Sequence, residues 1–285
     1  MAEFATFGQE LYFEESIRAI ESFSDDIEPD HLSAKIASTL QQPSEATRLR
    51  VASKIVQRCF KSPDGRSRSQ AFLKLVKSSK SESSRRDLIY WRAARTDGII
   101  AALAAEVFYP YFVLNVLPKG YDEEAFRMAN TATLFADDKV ISSDFAVRYA
   151  KETWGFDSAR TVTLALRIMK QAWILESVSV TLGRKHVLGY YTQPHLLQPE
   201  VFAYCLYEEF LDHAPTVSLD RIHNGDCVKL FFVNRLHADS MLRKLAAKKL
   251  VEFKALPGGK HVRFMCPNLD ALVDKLTQES VSGGK

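Results

Sequence analysis

The chain has 285 residues, 46% hydrophobic and 26% charged, which excludes extended disorder and leaves room for two or three domains. The formal net charge of +3 hides an asymmetry: residues 48–95 carry fourteen Lys or Arg against Asp64, Glu82 and Asp87, a local +11 that leaves −8 on the rest. Such an excess points to a polyanionic partner more than the total does. The four cysteines lack metal-ligand spacing, and Glu3 and Glu10 stand where a secretory leader would be basic. Free thiols in a reducing cytoplasm are the expectation.

In chain order, residues 10–23 predict a first helix, with Leu11, Phe13, Ile17, Ile20 and Phe23 at roughly helical spacing. Residues 30–41 form a second. The third spans 45–60 behind the cap Ser44, with Leu49, Ala52, Ile55, Val56 and Cys59 inward and Arg48, Arg50, Lys54, Arg58 and Lys61 outward. Pro63, Asp64 and Gly65 make a turn in a loop that also holds Arg66 and Arg68, suited to following a phosphate backbone. Helices over 70–77 and 85–95 follow.

Gly98–Leu117 is the most apolar run of the chain. Glu106 near its middle argues against a membrane span, because a carboxylate at that depth costs about 2.5 kcal/mol or more. A buried helix that kinks or stops at Pro110 is expected instead. Residues 122–137 and 145–153 read as helices, and Asp157 caps a helix over 158–172. Residues 175–182 and 187–191, joined by Gly183, Arg184 and Lys185, read as a hairpin. Helix, helix, turn, helix, hairpin is the order of a winged helix-turn-helix domain. Farther on, helices over 200–212 and 237–250, a hairpin around Pro257, Gly258 and Gly259, and a helix over 269–276 allow a second such unit. The fold class is therefore mainly α, with a helical bundle over 9–120, a winged-helix-like domain over 121–193 and a further helical or winged-helix-like domain over 200–278.

The sequence holds no phosphate-binding glycine loop ending in Lys-Ser or Lys-Thr, no zinc-hydrolase motif and no serine nucleophile elbow. Its acidic pairs, such as Glu14-Glu15 and Asp137-Asp138, are adjacent, so on a helix they point in different directions. Neither an enzyme nor a cofactor or metal is expected. Candidate nucleic-acid ligands fall into three groups. The first is the basic layer Arg48, Arg50, Lys54, Arg58, Lys61, Arg66, Arg68, Lys74, Arg85 and Arg86, which would bind phosphates with little regard to sequence. Such a layer also fits a solvated face paired with the acidic remainder of the chain. The second is Arg160, Thr161 and Arg167 on the 158–172 helix, with Arg184 and Lys185 at the wing tip. Trp154 and Trp173 are expected to pack the small core of that domain. The third is Arg243, Lys244 and Lys260.

Three stretches resemble a known family: GQELYFEESIRAI near the start, DGIIAALAAEVFYPYF, and SSDFAVRYAKETWGFDSARTVTLALRIMKQAWILES. They are similar to BrxA, a small accessory protein of BREX bacteriophage-defence systems, over roughly residues 7–190. The resemblance implies an all-helical amino-terminal part similar to the antitermination factor NusB, duplex DNA as partner, and work beside other BREX proteins. It supplies no catalytic residues. RNA binding, a protein–protein scaffold within a defence complex and a sequence-specific transcription regulator stay open as alternatives, as does the oligomeric state.

Overall fold

The computed structural model describes residues 11–23, 29–61, 69–130, 139–182, 185–192, 195–212 and 214–282. The protein is mainly helical, with two small three-stranded antiparallel sheets among the described residues. It forms two compact units, each built from separated stretches of chain. A flanking unit takes 12–96, 197–223 and 239–285. A central unit takes 97–196 and 224–238, together with Leu11. Residues 12–96, expected in one amino-terminal domain with 97–120, therefore group with the carboxy-terminal segments instead.

The flanking unit begins with α1 (Phe13–Ser22), α2 (Pro29–Thr39) and α3 (Glu45–Ile55), the last continuing through a π-helical turn, Val56–Phe60. Ser44 caps α3, its hydroxyl accepting from the Thr47 amide at 3.2 Å. Val51, Ala52, Ile55, Val56, Cys59 and Phe60 are buried. Two expectations on this helix are corrected. Leu49 is 41% exposed, and Arg58 is 2% exposed. Arg58 follows Ile55 by three residues and Val51 by seven, so helical spacing turns it to the apolar face, whereas Leu49 lies about 200° around from Val51.

Next come α4 (Gln70–Ser78) and α5 (Glu82–Thr96), where every residue from Asp87 to Ala94 is buried. That degree of enclosure needs neighbours on several sides. They include α10 (Pro199–Phe210), buried from Val201 to Tyr207, and, against α4 and α10, α14 (Leu269–Ser282). A sheet in the order β4-β6-β5 (Thr216–Ser218, Gly259–Phe264, Val251–Leu256) completes the unit with α11 (Leu219–His223) and the part of α13 (Arg235–Ala247) from Asp239 on. Val217, Val251, Val262 and Phe264 supply its core face. Leu256 pairs with Gly259, so Pro257 and Gly258 form a two-residue turn, and Gly258 takes φ +97°.

The central unit opens with α6 (Gly98–Ala102), prolonged by π-helical turns Leu103–Phe108 and Pro110–Leu114. The helical path was expected to kink or stop at Pro110 but runs on to Leu114. The Tyr109 amide reaches back five residues to the Ala104 carbonyl, and this wider turn accommodates a ring that would clash in an α-helix. Asn115, at φ +56°, ends it. Ile99, Ile100, Leu103, Ala104, Val107 and Phe108 are buried, while Glu106 on the exposed side accepts from Trp154 Nε1 at 2.9 Å. Among the described residues no single helix is long and apolar enough to cross a membrane.

There follow α7 (Glu123–Ala129), β1 (Ile141–Ser142), α8 (Ser143–Trp154), α9 (Ala159–Gln171), β2 (Glu176–Leu182) and β3 (Lys185–Tyr191), with sheet order β1-β3-β2. The helix expected over 122–137 ends at Ala129, and 131–138 lie outside the described residues. Asn130 follows α7 and ties it to β1: its Nδ2 donates to the Val140 carbonyl at 2.7 Å and its Oδ1 accepts from the Ser142 amide at 2.8 Å. The Ser142 hydroxyl then caps α8 by accepting from the Phe145 amide at 3.0 Å. Gly155, at φ +67°, ends α8 in the left-handed conformation. The cap of α9 is Ser158 rather than the expected Asp157, whose carboxylate sits 3.0 Å from Lys151 Nζ. Residues 224–238, with α12 (Asp226–Lys229), pack here too, Phe232 against Phe108 at 6.3 Å between ring centres.

Candidate nucleic-acid interface

Helix α9 reads ARTVTLALRIMKQ, with three cations and no carboxylate. Val162, Ala165, Leu166, Ile168 and Met169 anchor it. Spacings of three, four and three residues then put Arg160, Thr163, Arg167 and Lys170 on one exposed stripe. Lys170 Nζ donates to Ser177 Oγ on β2 at 2.6 Å, fixing the end of the stripe against the sheet. Arg167 acts on the Tyr190 phenol of β3: burial raises that phenol and the guanidinium opposes the rise. Thr161, a candidate ligand, is half-buried and bonded to the Ser158 hydroxyl at 2.8 Å, so it serves the cap. Three residues past Lys170 stands Trp173, 47% exposed with φ +61°. It was expected in the core, and the left-handed turn that closes α9 carries it outward. Its exposed indole, just past the end of α9, is an aromatic face of the kind that stacks on bases. Arg184 lies outside the described residues, and Lys185 is placed by its backbone pairing with Leu182.

The basic layer of residues 48–95 does not form one open cationic face. Arg58 and Arg92 are buried. Lys74 pairs with Asp274, Arg85 with Glu21 at 2.9 Å and Arg86 with Glu82 at 2.7 Å. The Arg86 guanidinium also lies 3.9 Å over the Phe13 ring, and Arg48 Nη1 donates to the Gln42 carbonyl at 2.9 Å. Lys54 and Lys61 are half-buried, and Arg50 is exposed. Arg66 and Arg68 lie outside the described residues. Much of the local charge thus faces the protein's own carboxylates and carbonyls, including the carboxylate of Asp274 from the carboxy-terminal helix.

In the third group, Arg243 and Lys244 are exposed on α13, and Lys260 stands beside the tip of the β5–β6 hairpin. Acidic groups interrupt this surface. Glu252 is in register with Arg263 and sits 2.6 Å from Lys254 Nζ, and Lys248 pairs with Glu200 at 3.0 Å.

Inside the flanking unit lies a polar cluster. The fully buried Arg92 faces Glu208 across 3.1 Å, with the Phe72 ring 4.7 Å from the guanidinium carbon. Trp91 Nε1 donates to Glu208 Oε2, and Tyr204 Oη donates to Oε1 at 2.6 Å. Burial drives the Tyr204 phenol well above its ordinary range. This arrangement neutralises and orients; it presents no group to solvent for chemistry. Among the described residues no three His, Cys, Asp or Glu side chains are grouped to hold a metal. All four cysteines are buried free thiols, and burial pushes Cys59 up to about 11, which keeps it protonated and unreactive at neutral pH.

No family model and no curated protein matches the sequence. The fold is similar to that of a crystal structure of SspB, with a TM-score of 0.51 over 98% of this chain and 88% of that one, at 13% sequence identity. At that identity the likeness concerns the fold alone.

Proposed function

We propose that the protein is a non-catalytic DNA-binding accessory component of a bacterial phage-defence system of the BREX type, acting in the cytoplasm beside larger partner proteins and holding duplex DNA mainly through its phosphates. The defence assignment rests on the resemblance to BrxA. The DNA assignment is carried by one observation: the exposed stripe of α9 has Arg160, Arg167 and Lys170 and no carboxylate, whereas Lys74, Arg85 and Arg86 of the bundle face acids of the same chain.

The order α7-β1-α8-α9-β2-β3 with sheet order β1-β3-β2 supports reading the central unit as a winged helix with α9 in the recognition position. The order α10-β4-α11-α13-β5-β6 with sheet order β4-β6-β5 supports a second one in the flanking unit. The NusB-like reading applies to residues 9–120, the range that holds α1–α6. A cation-lined recognition helix with few residues suited to bidentate base contacts favours backbone binding over operator reading.

Fluorescence anisotropy with random-sequence duplex DNA, from low to physiological salt and with RNA of equal length in competition, tests the proposal. Duplex should win, and binding should weaken steeply with salt. The log–log slope should fall by about 0.9 for each phosphate that a substitution leaves without its cation. Absence of binding at the lowest salt overturns the proposal and leaves the cations as a docking face for an acidic protein.

A further inference from the structure

A cavity of about 440 Å³ opens within the flanking unit, away from the α9 stripe. Its floor is apolar, from Leu75, Leu88, Val201 and Leu276, and its wall is hydroxylic, from Ser78, Ser79, Ser81 and Ser84. Two helices begin on it. The first turn of α5 brings Ser81 and Ser84, and the first turn of α10 brings Gln198, Glu200 and Val201. The first amides of a helix have no intrahelical acceptor and carry the positive end of its dipole. In α5 the Ser81 hydroxyl serves the Ser84 amide. In α10 the cap residue Gln198 gives no such bond, and Pro199 has no N–H to offer.

Two further observations point to a ligand. Ser84 is 7% exposed, lines the cavity, and its hydroxyl has no hydrogen bond among the described residues. Lys80 and Lys248 also line the cavity, and the one carboxylate there, Glu200, is engaged by Lys248 at 3.0 Å. Amides, a hydroxyl and ammonium groups on one side and an apolar floor on the other suit a molecule with an anionic end and a flat apolar body. The volume lies in the range of small-molecule sites.

We propose that this cavity binds a small phosphate-bearing ligand of mononucleotide size, its phosphate set on the first turn of α10 with Ser84 and Lys248, its base over Leu75, Leu88 and Leu276. The site is independent of the DNA-binding reading, because none of its residues lies on α9.

Isothermal titration calorimetry of the full chain with adenosine 5′-monophosphate, adenosine and inorganic phosphate tests it. The monophosphate should bind with a Kd below about 1 mM, more tightly than either fragment. Ser84→Ala and Lys248→Met should each weaken it by about tenfold, the loss expected for a hydrogen bond to a charged group. Glu200→Gln should tighten it by removing a repelling charge. Thermal melts establish that each variant is folded, and alanine is a better helix former than serine, so Ser84→Ala should not disturb α5. No heat at 10 mM monophosphate, on the order of the weakest binding the method reads, overturns the proposal. So does unchanged affinity in both weakening variants, or equal affinity for phosphate or adenosine alone.

Discussion

Arg92 of α5 and Glu208 of α10 meet at 3.1 Å with side chains 0% and 5% exposed, joining two helices that lie about a hundred residues apart in the chain. A buried pair of this kind punishes the loss of one partner more than it rewards the presence of both. Glu208→Ala would leave the guanidinium against the Phe72 ring without its carboxylate and would also strip the acceptor from Trp91 and Tyr204. The expected loss is about 3–5 kcal/mol, read as a lowered urea midpoint. Replacing both residues by apolar ones of similar volume should recover much of it.

On the DNA side, the triple variant Arg160→Ala, Arg167→Ala, Lys170→Ala should lower the salt slope of duplex binding by up to about 2.7, the equivalent of three phosphates. The matched triple Lys74→Ala, Arg85→Ala, Arg86→Ala should change the slope by less, because each of those cations already faces a carboxylate. Anisotropy titrations of the two proteins side by side decide it. Equal reductions would return the interface to the bundle.

Asn130 ties the end of α7 to β1 by bonding both Val140 and Ser142. It is fully buried, so Asn130→Ala should leave a carbonyl and an amide without donor or acceptor, at roughly 1–3 kcal/mol each. Hydrogen exchange should show faster opening at the Ser142 amide and the first turn of α8 than in α14.

Alkaline stability should fall in a defined window. Burial raises Cys59 from 9.0 to about 11, so the folded protein holds this proton more tightly than the unfolded chain. The contribution is complete below pH 9 and disappears as the pH rises from 9 through 11, a loss of roughly 2–3 kcal/mol at 1.36 kcal/mol per unit. Chemical denaturation at pH 8 and pH 11 measures the difference for the wild type and for Cys59→Ala, in which this contribution is absent.

Local rules carried much of the secondary structure. The stripe in α9 follows from 3.6-residue spacing, and Ser44 and Ser142 precede their helices as serine caps should. Where local rules compete, the outcome needed the fold. Asp157 and Ser158 are both good caps, and in the fold Ser158 takes the role while Asp157 pairs with Lys151. Pro110 breaks an α-helix but not a π-turn. Arg58 reads as a phosphate ligand by residue type, and spacing against Val51 and Ile55 could have placed it inward. The pairing of Lys74 with Asp274 across 200 residues has no local signature at all. Charge alone therefore does not show which cations of the bundle face the chain's own acids. Trp173 had no periodic signal either, since a positive φ after the last helical turn decides its direction.

The flanking unit has a consequence for biosynthesis. α4 rests on α14, and α5 on α10, so the amino-terminal helices, which pack on one another and on α1, are made long before the carboxy-terminal helices that complete their cover. At about 5–20 residues per second, α4 waits roughly ten to forty seconds for α14 to leave the ribosome. During that interval Phe72, Leu75, Val76 and the apolar residues of α5 belong to a nascent chain with an unfinished core. Holding such a chain is work for a chaperone. No protease cut or expression boundary can release either unit as one uninterrupted piece.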